Sequence, residues 1–271
     1  MNKRKLSFEI ILVCVMIFLS ACKKTDNEEK TEELITEVII ATQPDANESY
    51  ATGVDADPVD GYSIDISKQP AELTGMLEKS GHTYEELSER ECTQLILVCA
   101  NGNEAKVYMY EHRDGIWTDA GCNCDGHVGL NGASRDSYEG SKMTPVGMFS
   151  IGDGFYIENE PETGLDTFQI TENTYWVDDP ESDLYNTRVE LEGEKTFNSA
   201  EHMISYTEAY KYGFVINFNM DPVVKGKGSA IFFHIGNNST AGCVSVSQDS
   251  LLRIMKLLEK DKNPHIIIFN G

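Results

Sequence analysis

The sequence predicts a predominantly β domain of α+β type, a β-sandwich or mixed sheet with one main helix and a long insertion loop. Three observations carry that expectation. Short runs rich in β-branched and aromatic residues recur after residue 92, among them TQLILVCA, EAKVYMYEH, YGFVINFN, AIFFHI and HIIIFN. A single convincing helix, following Ser247, spaces its apolar residues at helical intervals. Residues 153 to 205 form a long acidic run without clear elements, as a lid or binding loop would.

Taken in order, the chain opens on Lys3, Arg4 and Lys5, followed by an apolar stretch from Ile10 to Leu19 that is short for a membrane span. That stretch ends in Leu19-Ser20-Ala21-Cys22, which resembles the bacterial lipoprotein signal. The resemblance implies removal of residues 1–21 and acylation of Cys22, hence an extracytoplasmic protein anchored to the bacterial cell membrane. An uncleaved anchor helix and an ordinary signal with a chance cysteine are the other readings. Residues 22–70 predict a disordered acidic tether: from Asp26 to Asp65 there are twelve acidic residues and one lysine. The net charge of -23 argues against nucleic acid as a partner, because binding phosphates needs clustered Lys and Arg.

A short helical lead-in is predicted over 71–91, around SGHTYEELSEREC. TQLILVCA and EAKVYMYEH then form two strands joined at Asn101-Gly102-Asn103. GIWTDAGCNCDGHVGLNG continues as strand and loop, and TPVGMFSIG uses Thr144-Pro145 as punctuation before a strand containing Val146, Met148 and Phe149. YGFVINFN and AIFFHI are further strands. Ser247 caps a helix with Leu251, Leu252, Ile254, Met255 and Leu258 on one stripe. Pro264 is expected to stop it, and HIIIFN to close the domain. All visible apolar residues can be placed in one core, and a monomer is the expectation.

The candidate chemistry lies in AIFFHIGNNSTAGCVSVS. With Cys14 and Cys22 assigned to the leader and to lipid, Cys92, Cys99, Cys122, Cys124 and Cys243 remain. An odd number in an exported protein leaves at least one thiol without an intramolecular partner. Cys243 is the natural candidate, since the other four fall in two local pairs. A thiol attacks a carbonyl carbon as thiolate, and at an ordinary pKa of about 8.5 only a few per cent is ionised at neutral pH. A neighbouring His234 could supply the base. Strand alternation turns His234 away from Phe233, the small-residue loop can fold Cys243 back toward it, and the amides of Gly242 and Cys243 could hold an oxyanion. The spacing is equally compatible with a buried small hydrophobe and a hydrogen-bonded strand-end histidine. His-x8-Cys lacks the paired short spacings of zinc sites, and Asp178, Asp179 and Asp183 lack an EF-hand spacing, so no metal site is predicted.

TPVGMFSIG, GSAIFFHIG and STAGCVSVS occur in an order and spacing by which residues 92–271 resemble the L,D-transpeptidase catalytic domain, the YkuD-type family of bacterial cell-wall enzymes. WVDDPESDLYN and SAEHM resemble a branch of that family with a long insertion. The resemblance implies a thiol acyl-transferase without cofactor or metal, acting on peptidoglycan stem peptides. Cys243 would be the nucleophile, His234 the base, and the Gly242 and Cys243 amides the anion hole. Most members carry a second His where Ala241 stands and commonly an Arg or Asn where Ser245 stands, and the His-to-Cys loop is shorter here. These departures bear on recognition of a donor carboxylate and on cross-linking. His202 could supply the second imidazole or serve as a structural hydrogen bond. Trp176, Asp178 and Asn186 are candidate pocket residues or loop scaffolding. An L,D-carboxypeptidase or amidase with water as acceptor, and a non-catalytic wall-binding lipoprotein, are the competing functions.

Overall fold

The computed structural model describes residues 64–271. The leader, Cys22 and all but the last few residues of the acidic stretch lie outside the described residues. No helix among the described residues is long and apolar enough to cross a membrane.

The lead-in forms two helices, α1 (Ala71–Ser80) and α2 (Tyr84–Glu89). Gly81, left-handed, closes α1, with its own and the His82 amides on Glu78 O and Leu77 O. Thr83 and Glu86 then satisfy each other's end of α2 as a capping box. Next come β1 (Gln94–Asn101), β2 (Glu104–Arg113), β3 (Ile116–Asp119), β4 (Cys124–His127), β5 (Ala133–Ser134), β6 (Thr144–Pro145) and β7 (Gly147–Tyr156). The stretch expected to be irregular holds β8 (Thr167–Gln169), β9 (Thr174–Val177), β10 (Arg188–Glu190) and β11 (Ala200–His202). The chain ends with β12 (Tyr212–Ile216), β13 (Phe232–Ile235), β14 (Val244–Val246), α3 (Gln248–Leu257) and β15 (His265–Asn270).

The predicted β-rich mixed sheet is present. Pairing runs β1-β15-β7-β12-β13-β14-β4-β2, and β2 pairs back onto β1, so the large sheet closes on itself. Strands β3 and β8 extend it outside that ring, on β2 and β7. Alternate residues of β1 serve two cores. Ile96 and Val98 join Phe233, Val244 and the α3 residues Leu251, Ile254 and Met255, while Leu95 and Leu97 pack under Leu73, Leu77 and Leu87 of the two lead-in helices. That double burial explains an uninterrupted apolar run in place of alternation. Each such leucine taken from water is worth about 1.5–3 kcal/mol.

Two expectations are corrected. Helix α3 starts from Ser247 as predicted, but Pro264 does not stop it. It ends at Leu257, because Leu258 turns extended with its side chain fully buried and its carbonyl taken by the Gly164 amide. Buried Gln94 clamps that end, donating to Leu257 O and accepting from the Glu259 amide. The 153–205 run is also not irregular throughout, since β10-β9-β11 form a separate three-stranded sheet within it. Its strands are three or four residues long, too short to show a period.

Candidate active site

Strands β13 and β14 are parallel with Phe233 opposite Val244 and His234 opposite Ser245. Phe233 and Val244 point into the main core, whereas Phe232 and Cys243 belong to a second cluster on the other face, with Tyr210, Trp176 and Met203. Period-2 alternation therefore puts His234 and Cys243 on the same face, two positions apart along neighbouring strands. Gly213 of β12 pairs opposite His234 of β13, where a Cβ would lie 2.3 Å from the Phe155 ring, so only glycine lets that ring pack there.

Cys243 is 6 % exposed. Its sulfur lies 3.3 Å from the Phe232 amide, which donates to it, and 3.3 Å from the Ala230 carbonyl, to which the thiol donates. Burial drives the thiol far above its ordinary value, and the charge of Glu201 adds to this; the bond from the Phe232 amide opposes it. The resting group is the neutral thiol. His234 is also buried, and desolvation lowers its pKa. Its Nδ1 is 2.8 Å from Ile235 O. A carbonyl only accepts, so Nδ1 carries the hydrogen and Nε2 keeps a lone pair.

Gly242 is required at its position: φ is 155°, and a Cβ would meet Ile231 Cδ1 at 3.2 Å and Met143 O at 3.3 Å. Its amide donates to Thr240 Oγ1 at 3.1 Å, so it is not free in this arrangement. The Thr240 and Thr144 hydroxyls both donate to Cys243 O, at 2.6 and 3.2 Å. Thr144, the first residue of the TPVG motif and part of β6, thereby ties the Cys243 segment to the strand ahead of β7.

The other sequence candidates are distributed unevenly around this centre. His202 points away from the sulfur, stacked on Tyr175 at 4.5 Å with Nε2 on Glu172 O and Nδ1 on Ser205 Oγ. Trp176 packs edge-on against Phe232 at 5.0 Å, in the cysteine cluster. Asn186 is a scaffold: Oδ1 accepts from Trp176 Nε1 and the Ala230 amide, and Nδ2 donates to Phe218 O and Asn219 O. Asp178 has a buried Oδ1 with no hydrogen-bond partner. Asp179 is spent on the amides of Glu181 and Asn198, and Asp183 pairs with Lys225. Cys92, Cys99, Cys122, Cys124 and Cys243 are all free thiols.

Sequence reasoning passed over two residues bonded to each other here, Glu201 and Tyr210, the latter packed in the Cys243 cluster. Glu201 lies opposite Trp176 in the small sheet and accepts a 2.7 Å bond from the Tyr210 hydroxyl. Burial raises its carboxyl to about 7, helped by the charges of Asp178 and Glu139. Tyr210 is buried, with its ring edge-on to His234 at 5.3 Å. The signal in SAEHM was available, since alternation that turns His202 outward turns Glu201 inward.

Fold and site define a mixed-sheet domain bearing a thiol and an imidazole on one face of adjoining parallel strands. The family model of the L,D-transpeptidase catalytic domain (YkuD) matches residues 96–267, and the chain belongs to that family. No curated protein matches the chain. Among solved structures it is similar to the helical cell shape determining protein Pgp2 from Campylobacter jejuni, with 16% identity and a TM-score of 0.34 over 65% of this chain. The match spans 47% of that protein, so this chain corresponds to about half its length.

Proposed function

We propose that the protein is a cysteine-dependent acyl transferase of the L,D-transpeptidase type, acting on peptidoglycan stem peptides outside the cell membrane, to which Cys22 anchors it. The observation that supports this is the shared face of Cys243 and His234, with the imidazole tautomer fixed by Ile235 and Nε2 left basic. Both groups rest neutral, so the thiol proton passes to Nε2 as the sulfur adds to the carbonyl carbon after the third stem residue. The Gly242 amide exchanges Thr240 Oγ1 for the developing oxyanion, and the Cys243 amide joins it. The C–N bond breaks, the imidazolium returns its proton to the leaving D-amino acid, and a thioester remains. Attack by an amine of a second stem restores the thiol and makes a 3→3 cross-link. Attack by water releases a tripeptide.

Incubation with tetrapeptide muropeptides, read by product mass, tests the assignment, together with intact mass after exposure to a carbapenem. Dimers support cross-linking, and tripeptide alone makes the protein an L,D-carboxypeptidase. An adduct absent in Cys243→Ser supports the nucleophile. The near-complete enclosure of the sulfur favours a second reading, a wall-binding lipoprotein without catalysis. Unmodified protein and unchanged peptide would establish that reading and overturn the first. The anchor is tested by fatty-acid labelling, which Cys22→Ala should abolish.

A further inference from the structure

The large sheet carries a cleft over β7 that takes no part in the acyl transfer just described. It encloses about 500 Å³, within the range of small-molecule sites, and neither Cys243 nor His234 lines it. Its floor is β7 at Met148 and Ser150, with β15 on one side of that strand and β12 on the other. Arg90, just past α2, stands on the β15 side, where its carbonyl accepts from Asn263 Nδ2. Asp221, in the loop after β12, stands on the β12 side next to Met220. Both charged residues are exposed, and among the described residues neither side chain has an ion-pair or hydrogen-bond partner, each other included. The fold itself holds the cleft in shape. Asn217 donates to Ser150 O through its amide and to Ser150 Oγ through Nδ2, both at 3.0 Å. Asn219 accepts from the Val224 amide and donates to Val224 O and Gly228 O, which fixes the loop that carries Asp221.

We propose that this cleft binds a short free peptide, two or three residues long with both ends charged, its carboxylate on Arg90 and its ammonium on Asp221. The strands on the two sides of β7 lie about 10 Å apart, twice the usual strand spacing. An extended chain covers at most about 3.5 Å per residue, so two or three residues reach across once the long arginine stem leans inward. The guanidinium fork takes a carboxylate through two parallel N–H donors. One exposed ion pair is worth little in water, but a ligand with both charges at matching separation engages two at once. A simple anion meets repulsion from Asp221 and a simple amine from Arg90, so the pair selects a zwitterion over either. Ser150 Oγ accepts from Asn217 and keeps its own proton for a peptide carbonyl. Met148 and Met220 give adaptable apolar contact to side chains of differing size.

Isothermal titration of the protein with L-trialanine at neutral pH tests this. A peptide of L-residues has no L-to-D bond, so its binding is read whether or not Cys243 performs acyl transfer. Saturable binding is expected. The peptide's carboxamide and its N-acetyl derivative should each bind about tenfold more weakly, and free alanine, too short to reach both groups, more weakly still. Arg90→Gln should weaken trialanine about tenfold and leave the carboxamide unaffected, and Asp221→Asn should do the same with the N-acetyl peptide unaffected. Equal affinity for free and blocked peptides overturns the assignment. So do alanine bound as tightly as trialanine, variants that weaken all three peptides alike, and no binding at millimolar peptide. Both side chains are exposed, so each variant should melt as wild type does. If one does not fold, salt dependence of the wild type is read instead: affinity for trialanine should fall about tenfold between about 0.05 and 0.5 M salt, and salt-independent affinity overturns the proposal. Muropeptide turnover without trialanine binding defeats this proposal alone, while binding without turnover defeats only the acyl-transfer reading.

Discussion

The Cys243 thiol donates to the Ala230 carbonyl across 3.3 Å, so the sulfur points toward the start of β13 while His234 sits near its end. Ala230 is itself held by Asn186 Oδ1, which accepts its amide at 3.1 Å. The thiol's resting position is thus set by a loop asparagine and a strand-entry carbonyl. Forming the thiolate means breaking that bond.

The first prediction concerns the order of thiol reactivity. Burial raises all five thiols, but Cys99 and Cys124 are half-buried where Cys92, Cys122 and Cys243 are buried. Without substrate, site-resolved alkylation should label Cys99 and Cys124 first and Cys243 slowly. Rapid labelling of Cys243 ahead of both would contradict the sealed thiol.

Asn186→Ala should destabilise the domain by about 2–4 kcal/mol, because it orphans two buried donors and two carbonyls at once. Urea unfolding checks this. The same variant should loosen Ala230 and speed Cys243 alkylation under native conditions.

Thr144→Val keeps the side-chain shape but removes both the acceptor of the Gly129 amide and the donor to Cys243 O. A loss of about 1–3 kcal/mol is expected, largely recovered in Thr144→Ser. Equal stability of the valine and serine variants would count against this tie.

The pH dependence follows from Glu201, whose carboxyl is raised from 4.5 to about 7 in the folded state. A raised pKa contributes stability that is fully present below the unfolded value and lost as pH rises through the folded one. Glu201→Gln should therefore leave the melting temperature nearly unchanged at pH 4 and raise it at pH 8, by at most roughly 3 kcal/mol of stability. A variant less stable than wild type at pH 8 would refute the sign.

Much of the site was legible because its signals are local. Alternation separates His234 from Phe233, the small residues from Gly236 to Gly242 permit a tight return, and Ser247 marks the helix that follows. The closure of the large sheet was not legible, since it depends on β15 entering between β1 and β7, a pairing between segments more than a hundred residues apart. The short strands β9 to β11 gave no period, and their register decides that Glu201 rather than His202 looks toward the cysteine. The imidazole drew notice by its chemical type. The carboxylate has its place from pairing that no local pattern encodes.

Residues 265–270 form a central stave of the barrel-like ring, bonded to β1 on one side and β7 on the other. Synthesis reaches that stave after every other strand described, so the ring has no complete wall until residues 265–270 are in place. A chain stopped at Asn263 should show no cooperative melting, and a sharp transition in that truncated form would disprove the dependence.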